Sequence, residues 1–141
     1  MDLQPFRNLF RRRGVIDLAG PPDMTALLPF QRGCGRDVVE EMLGGTPTEV
    51  PQRYYDTSAI SKLPLGVAQT LVWGRRDQFA PISLGESYVE AARRSNEKVS
   101  LISFADLGHF EIAAPIGSSW PALEKEILRM LSVNDQVMRG I

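Results

Sequence analysis

Apolar positions along the chain fall into two kinds of run. Short, nearly continuous ones occur at Val15-Ile16-Asp17-Leu18-Ala19, at Thr70-Leu71-Val72-Trp73 and at Val99-Ser100-Leu101-Ile102-Ser103-Phe104. Each is too brief for a helix and rich in β-branched or aromatic residues, as strands covered on both faces of a parallel sheet are. Gly20-Pro21-Pro22 ends the first run, because proline supplies no ladder donor, and Gly66 and Gly74 bound the second.

Between these runs the apolar spacing changes to three and four. From Asp23 to Gly45 it is helical, with Asp37 as an N-cap ahead of Val38, Val39, Met42 and Leu43, and Gly44-Gly45 as the stop. Thr46-Pro47-Thr48-Glu49 has the form of a capping box with proline at the first helical position, and predicts another short helix. Ser83-Leu84-Gly85-Glu86 is a second capping box, leading Tyr88, Val89, Ala91 and Ala92 into a helix that fades at Ser95-Asn96. Ser119 is placed to cap a last helix, with Pro121 in its first turn and Leu123, Ile127, Met130 and Leu131 on one stripe. Leu3, Phe6, Leu9 and Phe10 make residues 1–13 a short amphipathic helix whose Arg11-Arg12-Arg13 end complements the helix dipole. Residues 132–141 lack periodicity and read as a tail. Strand and helix in alternation predict an α/β fold: about three parallel strands joined by right-handed crossovers and flanked by helices, over residues 14–131.

A length of 141 residues fits one domain with a real core. Sixteen basic side chains against seventeen acidic ones give a net charge of -1, which leaves no basic footprint for a nucleic acid. No apolar run approaches the roughly 20 residues that cross a bilayer, so no membrane partner is expected. Cys34 is the single cysteine and has no internal disulfide partner. Arg7 and Asn8 interrupt Phe6, Leu9 and Phe10, so no secretory apolar region is read there, and the expectation is a cytoplasmic protein. No glycine-rich phosphate loop follows any strand, so no cofactor is expected and a small-molecule ligand is the natural partner.

In parallel α/β sheets the functional groups gather in the loops beyond the carboxyl ends of strands. The loop after Trp73 reads Gly74-Arg75-Arg76-Asp77-Gln78-Phe79-Ala80-Pro81, and that after Phe104 contains Asp106-Leu107-Gly108-His109-Phe110. Alone, Asp77 reads as a turn residue bonding its own backbone, and His109 as an exposed loop histidine. Together, in consecutive strand-end loops, they have the chemistry of an acid that orients an imidazole. At these residues the chain resembles the α/β-hydrolase family, especially its esterase-like and prolyl-oligopeptidase-like serine hydrolases. That family carries a G-x-x-D-x-x-x-P turn after one strand and a G-H-F loop after the next. The resemblance extends from about Gly14 to Leu131, including Lys62-Leu63-Pro64-Leu65-Gly66-Val67 and the helix from Ser83 to Arg94.

The resemblance implies that Asp77 and His109 are the acid and base of a Ser-His-Asp triad. The family's nucleophile serine sits in a G-x-S-x-G elbow, and no such pentapeptide occurs here. The three strands look like the last three of a larger sheet, so the elbow and oxyanion-hole loop would precede Met1. Residues 1–13 do not resemble what should come before that first strand, as in a truncated gene with a new start. Cys34, in Gly33-Cys34-Gly35, is the best substitute nucleophile but follows no strand and reads as a loop cysteine. Ser58, Ser87 and Ser118-Ser119 have no elbow around them. Arg75-Arg76 read as a solvated turn that could otherwise grip a substrate carboxylate, and Trp73 and Trp120 as core or pocket wall. Asp106 and Glu111 beside His109 make a poor metal set without a second histidine, so no metal is expected.

The expected function is that of a truncated, non-catalytic binding or structural protein of hydrolase descent. The alternative is an active esterase or peptidase whose nucleophile comes from a partner chain or an unrecognised residue. The first strand, Val15 to Ala19, has no neighbour on its outer side, so a homodimer through that edge is expected, or cover by the helix of residues 1–13.

Overall fold

The three apolar runs form the sheet: β1 (Val15–Leu18), β2 (Gln69–Gly74) and β3 (Val99–Phe104), parallel throughout and in the order β1-β2-β3. The computed structural model describes residues 14–132, so the helix expected over 1–13 and nearly all of the C-terminal tail lie outside the described residues. β2 is central, and all six of its residues are buried. Its alternate side chains meet different layers. Trp73 packs on Gly85 of helix α4 (Ile82–Arg94), while Thr70, three residues away, bonds Glu126 of helix α5 (Trp120–Ser132) at 2.5 Å. The two helices therefore cover opposite faces, which is why the β2 run is apolar without alternation. Leu71, Val72 and Trp73 join Leu84, Tyr88, Val89 and Ala92 of α4 and Leu123 of α5 in one core.

Between β1 and β2 the chain makes a helical excursion in short pieces. It consists of α1 (Met24–Leu27), a 3-10 stretch (Leu28–Cys34), α2 (Val38–Leu43) and α3 (Pro51–Thr57). Asp23 caps α1, its Oδ1 accepting from the backbone of Thr25 and Ala26. Gly35, in the left-handed region at φ 91°, ends the 3-10 stretch ahead of α2. Val39, Leu43 and Tyr54 form a small second core here.

Four local expectations are corrected. Asp37 stands ahead of α2 but gives its carboxylate to Arg32 at 2.8 Å instead of capping. The Thr46–Glu49 box does bond, with Glu49 Oε2 accepting from Thr46 N at 2.8 Å, yet it closes a turn, and α3 starts only at Pro51. A proline at the first helical position costs nothing there, since its missing N–H would have no helical partner. α4 begins at Ile82 with Pro81 ahead of it, so Ser83 lies inside the first turn. Ser119 donates to the carbonyls of Glu111 and Ile112 at 3.2 and 3.1 Å, tying the 3-10 turn Glu111–Ala113 to the start of α5.

β1 ends at Leu18, one residue earlier than expected, because Ala19 turns the chain at φ 51°. Within it, burial raises the Asp17 carboxyl to about 6 against a single relieving bond from Gly20 N–H. A carboxyl raised on folding binds its proton more tightly in the folded state, so its charge is a cost above about 6 that disappears as pH falls towards the unfolded value. Stability should therefore drop by about 2 to 3 kcal/mol as pH rises from about 4 to about 6 through this group. Asp17→Asn should be the more stable protein at about pH 8 and lose that advantage near about pH 4. Urea melts of both proteins across this range check it, and parallel curves would refute it.

Among the described residues, no helix is long and apolar enough to cross a membrane.

Candidate active site

Adjacent parallel strands in register start their following loops side by side. Trp73 is level with Ser103 and Gly74 with Phe104, so the loops after β2 and β3 leave the sheet together. They are laced by Arg75 N–H to the Phe104 carbonyl and Arg76 N–H to the Leu107 carbonyl, each at 2.9 Å. Gly74 is required at the crossing, because a Cβ there would collide with the carbonyl oxygens of Leu107 and Gly108.

Asp77 and His109 meet across this seam. The Asp77 side chain is completely buried, and its Oδ2 lies 2.7 Å from Nδ1 of His109. Its Oδ1 accepts from the backbone N–H of Phe79 at 2.9 Å and of Ala80 at 2.8 Å. These bonds make Asp77 a turn residue and a hydrogen-bond partner of the imidazole at once. Trp73 adds a brace: its Nε1–H donates to the Ala80 carbonyl at 2.7 Å, fastening the far side of the same turn to the core.

A carboxylate only accepts, so Nδ1 of the facing imidazole carries the proton and donates it. That leaves the lone pair on Nε2. The imidazole is 28 % exposed, and among the described residues no hydroxyl or thiol bonds its ring. Two phenylalanines flank it: Phe79 at a centroid distance of 5.5 Å and Phe110 edge-on at 5.1 Å, the two being 5.4 Å apart. Sequence reading missed this three-ring cluster, although both phenylalanines lie inside the motifs that pointed to Asp77 and His109.

The other candidates are placed elsewhere. Cys34 is exposed at the end of its 3-10 stretch. Its neighbour Gly33 leans on the acid loop, where a Cβ would lie 3.3 Å from the Gln78 carbonyl, but no hydrogen bond joins Cys34 to His109. Ser58 is buried and accepts from Met24 N–H at 3.0 Å, and Ser87 is on the exposed side of α4. Arg76 pairs with Asp106 at 2.9 Å, both largely in solvent, so the arginine that could have gripped a substrate carboxylate bridges the two loops instead. Among the described residues no three His, Cys, Asp or Glu side chains gather as a metal site.

No protein-family model matches the sequence, and no curated protein matches it. Solved structures do. The chain is similar to acylaminoacyl peptidase of Pyrococcus horikoshii at 17% identity, with a TM-score of 0.68 over 89% of this chain and 20% of that one. It is similar to a dipeptidyl aminopeptidase IV candidate from Bacteroides ovatus at 16% identity, with a TM-score of 0.54 over 67% of this chain and 13% of that one. It is also similar to esterase 2 of Thermogutta terrifontis at 18% identity, with a TM-score of 0.50 over 75% of this chain and 39% of that one. The chain thus spans about a fifth of the peptidase it resembles. These neighbours are α/β-hydrolases. The three parallel strands and their flanking helices are part of the α/β-hydrolase fold.

Proposed function

We propose that Asp77 and His109 are the acid and base of a Ser-His-Asp hydrolase triad, and that these 141 residues alone form a binding or structural module that turns over no substrate. One observation supports this reading: the imidazole is fixed through Nδ1 on a buried carboxylate, while Nε2, the atom that would take a serine proton, is hydrogen-bonded to no hydroxyl or thiol among the described residues. Without a side-chain oxygen or sulfur to attack, a base so placed can hold a ligand's hydroxyl or amide but forms no acyl-enzyme. A second reading follows from the same open nitrogen. The 28 % exposure of the imidazole leaves room for a nucleophile on another chain, which would complete an esterase or peptidase.

An organophosphorus probe tests the non-catalytic reading of the chain alone, a chemistry known for Thermogutta terrifontis esterase 2, which is phosphoramylated by tabun. The chain alone should show no covalent labelling by a fluorophosphonate and no burst with p-nitrophenyl acetate. Labelling that His109→Ala abolishes would overturn the non-catalytic reading.

A further inference from the structure

Beside β1 lies a second, unassigned place where charge and shape converge. A cleft of about 290 Å³ is walled by Val15, Leu65 and Leu71 and reaches Asp17, Gln69 and Tyr88. It shares no hydrogen bond with the Asp77–His109 pair.

Among the described residues, the polar end of this cleft carries one sign of charge. Asp17 accepts from Gly20 N–H through Oδ1 at 2.8 Å, and among the described residues nothing bonds its other oxygen. From α4, Tyr88 donates its hydroxyl to Oε1 of Gln69 at 2.6 Å. Gln69, on β2, donates its amide to Oε2 of Glu97 at 2.6 Å, and Glu97 accepts Gly66 N–H with its other oxygen. Burial, helped by Glu97 and Asp17, pushes the Tyr88 phenol up. The remaining walls, Ile16, Gly20 to Pro22 and Ala59, bring no titratable group. No described lysine, arginine or histidine pairs with Asp17. A carboxylate drawn from water without a counter-ion either keeps its proton or takes a cation from outside.

We propose that the β1 cleft binds an aliphatic primary ammonium group, its nitrogen on the open oxygen of Asp17 and its stem along Val15, Leu65 and Leu71. At roughly 30 Å³ per heavy atom the cleft of about 290 Å³ holds up to about ten heavy atoms, ample for an ammonium nitrogen on a stem of about four to six carbons. Two sources carry this chemistry: a free amine, or a lysine on a strand added to the outer edge of β1. Val15 and Ala19 donate to the Ala68 and Val72 carbonyls of the β2 side, so alternation turns the backbone groups of Ile16 and Leu18 outward, where an added strand would pair.

Carboxyl-detected NMR of the full chain at neutral pH tests the proposal with n-butylammonium as probe. The Asp17 carboxyl carbon should shift saturably, n-butanol and butyrate should leave it unmoved, and Asp17→Asn should weaken binding by about tenfold or more with an unchanged circular dichroism spectrum. His109→Ala should bind as the parent does, since the cleft is separate. An acetylated and amidated Val-Lys-Val peptide separates the sources. Tighter binding than butylammonium, with slowed exchange of the Ile16 and Leu18 amides, assigns the ammonium to a strand lysine; weaker binding without that protection assigns it to a free amine. Saturation by n-butanol as strong as by butylammonium, undiminished binding by Asp17→Asn, or no saturable shift at all overturns the proposal.

Discussion

Asp77→Ala should destabilise the protein by about 3 to 5 kcal/mol, whereas Asp77→Asn should cost less than half of that. Alanine strands three donors at once: the backbone N–H groups of Phe79 and Ala80 and Nδ1–H of His109. Asparagine keeps an oxygen for the two backbone donors, so the turn survives. What asparagine changes is the imidazole. Its amide presents N–H where the carboxylate presented an acceptor, so Nδ1 must accept and the ring proton moves to Nε2. Nitrogen-detected NMR of His109 should therefore report the opposite tautomer in Asp77→Asn, while urea melts separate the two variants by about 1.5 kcal/mol or more. Should a partner chain supply a nucleophile, the same asparagine variant should lose about 10⁴-fold in turnover, because Nε2 would no longer be free to take a proton. An unchanged tautomer in Asp77→Asn would mean that the carboxylate does not orient the ring.

The nearness of these two residues is legible in the sequence because it depends on little. Two apolar runs of strand length, each followed by a glycine-containing loop, become adjacent parallel strands, and parallel register brings the ends of Gly74 and Phe104 level. β2 and α4 were legible for a similar reason, since an unbroken apolar run and a stripe at helical spacing each admit one comfortable environment. Polar signals proved less specific. Glu49 bonds Thr46 as a capping box requires, yet the same bond closes a turn equally well, and no helix follows until Pro51. Ser119 sits one residue before α5 as a cap should, but two carbonyls of the Glu111–Ala113 turn compete for its hydroxyl and hold it. A local pattern tells where a hydroxyl lies along the chain; the tertiary neighbours decide which group it bonds. The ring cluster of Phe79, His109 and Phe110 escaped notice for that reason, because it joins loops 30 residues apart. The excursion from Asp23 to Gly45 is helical, as its apolar spacing predicts, and falls into pieces divided at Gly35, where the left-handed backbone stops the first of them.

Trp73→Ala should cost about 3 to 5 kcal/mol, a large share of the about 5 to 15 kcal/mol that holds a domain of this size together. Trp73 is 0% exposed at the centre of the core, so truncation leaves a cavity that Leu71, Val72 and α4 cannot fill without moving the sheet. The loss should reach the site as well. The indole Nε1–H holds the Ala80 carbonyl while Asp77 holds the Ala80 amide, so one residue is fastened from both sides and the acid is set relative to the core through it. Trp73→Phe isolates that link: most of the burial remains, the donor is gone, and the Ala80 carbonyl is left without its partner. We expect about 1 to 3 kcal/mol from this variant in urea unfolding followed by far-ultraviolet circular dichroism, together with faster exchange of the Ala80 amide. Gly85→Val should destabilise by about 1 to 3 kcal/mol from the opposite side, since a Cβ there would stand 2.8 Å from the indole ring and push it off the helix. If Trp73→Phe leaves Ala80 exchange as it was, the indole fills space only, and the carboxylate keeps its place by the turn alone.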